Sequence, residues 1–232
     1  MKGLFFFDPT YVLIVPAILF ALYAQQKVQG TFARYLQVPS RAGKTGAQVA
    51  RELLDHFGLH NVTVEPIHGR LGDHYDSRAR AVRLSPEVYR GTSLAALAVA
   101  AHETGHALQH ARQYVPLQIR NSLVPVASIG STLAFPLFFL GFIFAADFGY
   151  SLMNIGILLF AGALAFQIIT LPVEYNASSR AMQLLEAGGY LTREERPGAK
   201  AVLDAAALTY VAATAVALMH LVRLLVLRDS RR

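Results

Sequence analysis

Two histidines and two carboxylates in this chain have the types and spacing for metal-assisted hydrolysis. His102 and His106 stand four residues apart with Glu103 between them, in the stretch Ser93 to His110, which is rich in Ala and Leu and free of proline. Such a stretch, led by Thr92 and Ser93, predicts a helix with a hydroxyl N-cap. Residues four apart on a helix share a face one turn apart, so both imidazoles can point at one divalent ion. Glu103 leans to the flank of that face, where a carboxylate can hold a water and take its proton. This is the HExxH arrangement, with two zinc ligands and a general base. His110 extends the same face by another turn and is expected at the rim of the site, not as a ligand.

Zinc held by two histidines needs a third protein ligand and one open position for water. The chain has no cysteine, so that ligand must be a histidine or a carboxylate. Glu174 is the best candidate. It follows two long apolar runs, Leu123 to Ala145 and Ser151 to Leu171, joined by Asp147-Phe148-Gly149-Tyr150. Read as a transmembrane hairpin, these runs carry the chain across a bilayer and back, returning Glu174 to the neighbourhood of the histidine helix. Asp204 is the rival third ligand and would suit a site-2-type intramembrane protease. His74 and Asp76 are weaker ligand candidates, since they lack helical spacing. Hydrolysis also needs a donor for the tetrahedral oxyanion, and His74, Tyr75, His110, Tyr175 and Arg180 are all open to that role.

The elements that must position these residues begin in membrane. The sequence is 54% hydrophobic and only 16% charged, too apolar for an ordinary soluble domain. The run Leu4 to Ala24 lacks a small-x-small cleavage site and reads as a retained membrane helix, not a signal peptide. Ala205 to Leu227 reads as a fourth span, with Arg223 reaching back to the interface. Pro125 and Pro136 are expected to bend the first helix of the hairpin. Gly130, Gly141, Gly156 and Gly162 would let its helices approach closely. The formal charge of +6 carries no aromatic-interleaved basic patch, which excludes nucleic-acid binding; in a membrane protein, basic excess marks cytoplasmic loops.

Between the first span and the hairpin lies a polar α/β segment. Thr45-Gly46-Ala47-Gln48 is a capping box, followed by an apolar stripe of Val49, Leu53, Leu54 and Phe57 and a stop at Gly58. Val62 to Ile67 and Ala79 to Leu84 alternate like strands, and the ionisable stretch His68 to Ser77 between them is loop-like, so the pair predicts a β-hairpin. Its edge could receive an extended peptide. The expected fold is a mainly α membrane protein of about four transmembrane helices with a small cytoplasmic α/β unit. Its divisions are 1–24, 25–122, 123–171, 172–204 and 205–232.

Charge sets the expected orientation. Lys27 to Arg120 holds 12 of the 21 Lys and Arg residues, Arg180 to Lys200 holds four more, and the Asp147 connection holds none. The positive-inside rule places the chemistry-bearing segments in the cytoplasm. The tail Arg228, Arg231 and Arg232 runs against that count if the last apolar run crosses fully.

Four separated motifs occur in one order: Asp73-His74-Tyr75-Asp76-Ser77-Arg78, His102-Glu103-Thr104-Gly105-His106, Leu171 to Ser178, and Leu208-Thr209-Tyr210. Over nearly the whole chain this pattern resembles the YugP-type neutral zinc metallopeptidases of bacterial membranes. More distantly it is similar to the HtpX and Ste24 membrane proteases, which also set a transmembrane hairpin between HExxH and a Glu-bearing helix. In those proteases an aspartate follows the ligand Glu by four residues; here that place is Ser178. The resemblance implies a gluzincin-like site with one Zn2+ per chain, His102, His106 and Glu174 as ligands and Glu103 as base. It implies a zinc metalloendopeptidase of the bacterial cytoplasmic membrane that acts on peptide or protein substrates, membrane-associated ones included. The alternatives are a site-2-type protease using Asp204 and a non-catalytic zinc-binding scaffold, whose site would be closed by a fourth protein ligand such as His110 or His74.

Overall fold

A computed structural model describes residues 9–69, 71–144 and 146–231. The start of the N-terminal apolar run, Leu4 to Asp8, lies outside the described residues, as do Arg70, Ala145 and Arg232. The protein is mainly helical, with four candidate membrane helices and a small three-stranded sheet. It divides into two compact units: Gln25–Gln118 with Pro172–Leu208, and Met1–Ala24 with Ile119–Leu171 and Thr209–Arg232.

The first of these units holds the α/β part. Helix α1 (Tyr11–Leu36) is followed by α2 (Gly46–His56), whose start is the expected capping box: Thr45 Oγ1 accepts from Gln48 N, and Gln48 Oε1 accepts from Thr45 N. Val49, Ala50, Leu53 and Leu54 turn inward, and Gly58 ends the segment at φ +70°. Strands β1 (Thr63–Pro66), β2 (His74–Asp76) and β3 (Ala81–Leu84) form a sheet in the order β1-β3-β2.

The two strands read from sequence are present, but they do not form a hairpin with each other. β1 runs parallel to β3, with Val64 opposite Val82 and Pro66 opposite Leu84. The antiparallel partner of β3 is β2, which lies inside the stretch expected to be loop. Side chains of that polar stretch build the turn between them. Asp76 Oδ1 accepts from the backbone N–H groups of Arg78 and Ala79, and Asp76 Oδ2 pairs with Arg83 at 2.6 Å. Polar side chains that hold a turn look like a solvated loop when only hydropathy is read.

After the short helix α3 (Pro86–Tyr89) comes α4 (Leu94–Ala111), the centre of this unit's core. Ser93 caps it by accepting from Ala96 N, and Ala95 through Ala98, Ala100 and Ala101 are fully buried. Small side chains all round let neighbouring backbones come close. The segment from Pro172 contributes Val173, Ala177, Ala181 and Leu185, a buried stripe at four-residue spacing, and the segment before Leu208 adds Ala199, Val202 and Leu203.

Three long helices follow: α5 (Val115–Ile143), α6 (Ala146–Ala187) and α7 (Arg196–Asp229). With α1 they are long and apolar enough to cross a membrane, for which about 20 residues suffice. In the second unit, α5 and α6 meet where glycines were expected to allow it. A Cβ on Gly141 would sit 2.5 Å from the Gly149 carbonyl oxygen, and one on Gly156 would sit 2.6 Å from that of Ala134. Boundaries differ from the sequence reading: α1 runs past Ala24 to Leu36, and Asp147 to Tyr150, read as the connection of the hairpin, already lie in α6. α6 is a single helix of 42 residues that includes Pro172, where a break and a fresh start were expected. Proline forfeits one backbone hydrogen bond, and the stripe beginning at Val173 keeps the following turns helical by burial.

Candidate metal centre

The centre lies within one unit, between α4 and the part of α6 that follows Leu171. On α4, His102 and His106 present their rings edge-on, with centroids 4.8 Å apart. On α6, the buried Glu174 brings Oε2 to 3.2 Å from His102 Nε2 and 3.4 Å from His106 Nε2. The ligand atoms of these three residues lie within 4.8 Å of one another, and among the described residues this is the group able to hold a metal. A tetrahedral zinc with bonds of roughly 2.0–2.1 Å has ligand atoms about 3.4 Å apart, so both contacts to Glu174 have the spacing such an ion imposes.

The close approach of α4 and α6 depends on a glycine inside the histidine motif. A Cβ on Gly105 would lie 2.8 Å from the Ala177 carbonyl oxygen and 3.3 Å from its Cα. Without a side chain there, α6 can lie against α4 closely enough for the Glu174 carboxylate to reach both rings.

Each imidazole is held from behind. Ser178 Oγ is 3.2 Å from His102 Nδ1, and Gln109 Oε1 is 3.0 Å from His106 Nδ1. Ser178, four residues after Glu174, thus sets a neutral hydroxyl behind His102. Partners of this kind orient metal-binding histidines. Burial alone would push the His106 imidazolium down. The hydrogen bond with Glu174 and the charges of Glu103 and Glu174 more than reverse this and hold its pKa above the ordinary histidine value. Glu103 lies on α4, largely buried, close enough for its charge to act on His106.

The other sequence candidates fall in different places. Tyr75 OH and His110 Nδ1 are 2.8 Å apart, linking β2 to the last turn of α4. His74 is exposed, with Nδ1 at 2.7 Å from the Gly72 carbonyl. Asp76 is engaged by Arg83. Tyr175 is exposed, and Arg180 Nε donates to Asn176 Oδ1. Asp204 is exposed and paired with Lys200 at 2.6 Å. Sequence reasoning passed over Gln109 and Asn176. The available signal for Gln109 was positional: it lies three residues after His106, on the same face of an otherwise apolar helix.

A family profile described as "Putative neutral zinc metallopeptidase" matches residues 10–229. The chain is 47% identical over 211 residues to a protein of Bacillus subtilis (strain 168) named "Putative membrane protease YugP", covering 91% of this chain and 92% of that protein. No solved structure matches.

Proposed function

This chain belongs to the neutral zinc metallopeptidase family, and from that premise we propose that it is a zinc endopeptidase of the bacterial cytoplasmic membrane, cleaving peptide bonds on the cytoplasmic side. The observation that carries the reading is the approach of Glu174 Oε2 to both His102 Nε2 and His106 Nε2, at 3.2 and 3.4 Å, in a group able to hold one metal ion. Two histidines from one helix and a glutamate from another make a gluzincin ligand set. Three protein ligands would leave one coordination position for water, as in catalytic zinc sites.

One Zn2+ would be held by those three atoms, and when bound it supplies Lewis acidity that polarises a carbonyl and acidifies water. The chain's own groups do the rest. Ser178 and Gln109 hold the imidazoles in place from their far nitrogens. Glu103 takes a proton from the attacking water on its carboxylate and delivers it to the amine nitrogen as the peptide C–N bond breaks. One water is consumed, and a carboxylic acid and an amine are released. Glu103 is largely buried and its charge is felt by His106, which sets the carboxylate beside the ligand histidines. The substrate is a peptide or protein segment within reach of the membrane surface, a placement that the four apolar helices support.

The site-2-type alternative loses ground because Asp204 is engaged by Lys200 and exposed. The scaffold reading has no use for Glu103 beside the two histidines. The deciding experiment is Glu103→Gln in the detergent-solubilised full chain, assayed on casein or a quenched peptide. Loss of general-base catalysis is expected to cut hydrolysis by about 10²–10⁴-fold while zinc stays bound. Hydrolysis at the parental rate would rule Glu103 out as the base.

A further inference from the structure

Gln109 is fully buried on α4 and spends its whole amide on the metal centre. Its Nε2 donates to the Val173 carbonyl oxygen at 2.8 Å and to Asn176 Oδ1 at 3.0 Å, and its Oε1 faces His106 Nδ1 at 3.0 Å. The orientation of this amide follows from its partners. A backbone carbonyl only accepts, so the nitrogen must face Val173. Asn176 Oδ1 also takes the Arg180 Nε–H at 2.7 Å, which marks it as an acceptor too. The oxygen of Gln109 is therefore left for His106, whose Nδ1 must carry the proton. In the neutral ring, the form that binds a metal ion, this leaves Nε2 as the lone-pair nitrogen on the side of Glu174.

The two residues anchored by Gln109 flank the third ligand: Val173 precedes Glu174 and Asn176 follows it by two. We propose that Gln109 is a positioning residue that presets the centre for zinc in two ways at once, by setting the His106 tautomer and by tying the Glu174 turn of α6 to α4. The inference rests on the zinc reading above. A carboxylate at position 109 could serve the first task, but having no N–H it could not serve the second. An amide does both.

Gln109→Met keeps the length and helix preference of the side chain and removes all three contacts. Gln109→Glu keeps the acceptor for His106 and removes both donors to α6. Zinc affinity of the solubilised full chain, measured by competition with a chelating dye, is compared with the melting temperature after chelator treatment. The Met variant is expected to bind zinc about 10–100-fold more weakly than the parent, with kcat lowered more than KM is raised. Its chelator-treated melting temperature should stay near that of the chelator-treated parent, a combination that a merely structural role would not give. The Glu variant should fall between the two. Zinc affinity within about twofold of the parent in the Met variant would overturn the proposal. If the Met variant melts early even after chelation, the Glu variant decides: weakened zinc binding supports the double role, and parental affinity overturns it. A parent chain that binds no zinc would instead sink the zinc reading and this inference with it.

Discussion

At His102 and His106, what the rings can do is set by the nitrogens that face away from the centre. A hydroxyl from Ser178 and an amide from Gln109 occupy those positions, and neither brings a charge. The two were not equally visible in the sequence. Ser178 lies four residues after Glu174, on the same helical face, so the ligand itself points to it. Gln109 lies three residues after His106 and shares its face, but its bonds to Val173 and Asn176, 64 and 67 positions away, leave no local trace. Tyr190 illustrates residue-scale electrostatics elsewhere in the same unit. Its hydroxyl donates to Glu52 Oε2 at 2.6 Å; burial first, and then the Glu52 carboxylate, push the phenol up to about 12. An unfolded tyrosine ionises near pH 10. The raised folded value therefore contributes stability that is fully present below about pH 10 and drains away as pH climbs towards about 12. Tyr190 is partly exposed, so screening keeps the effect modest. Thermal unfolding of Tyr190→Phe across that alkaline window should show a shallower fall than the parent. An equally steep fall would mean that the phenol is not the titrating group.

Among the elements, α4 and α6 carry the account. The histidine helix was legible because its cap, its composition and its four-residue spacing agree. The contact that lets α6 reach it was not, because a glycine within an Ala-rich helix looks merely permissive until its neighbour is known. Gly105→Ala tests that contact. The added methyl meets the Ala177 backbone, which cannot swing aside as a side chain can. The expected cost is about 1–3 kcal/mol, as for overpacking a tight interface, together with reduced zinc content. Unchanged melting and full zinc loading would show that the helices do not depend on the glycine. The sheet shows a different limit. Alternating hydropathy located β1 and β3 because it reports which face of a strand is buried, but it says nothing about which strand lies beside which. The parallel pairing followed only once the polar stretch between them had supplied β2. Pro172 misled for a related reason, since a proline marks a lost hydrogen bond and not the burial that outweighs it.

For the whole molecule, four helices long and apolar enough to cross a bilayer, and a relative named a putative membrane protease, point to a membrane protein. Hydropathy over 20-residue lengths is a strong signal, so this level of organisation was the easiest to read from sequence. The side of the membrane is a charge argument, and the lack of cysteine makes it testable with single introduced thiols. Asp147→Cys, in the first turn of α6 where the hairpin reverses and no Lys or Arg stands, should react with a membrane-impermeant thiol reagent on intact cells. Arg193→Cys should react only after permeabilisation. The reverse pattern would place the metal centre outside. Everything further depends on which carboxylate completes the histidine pair. The direct measurement is the zinc content of the purified parent, Glu174→Ala and Asp204→Ala after identical dialysis. The parent and Asp204→Ala should each retain about one zinc per chain, and Glu174→Ala should lose it. Zinc retained by Glu174→Ala and lost from Asp204→Ala would contradict the account.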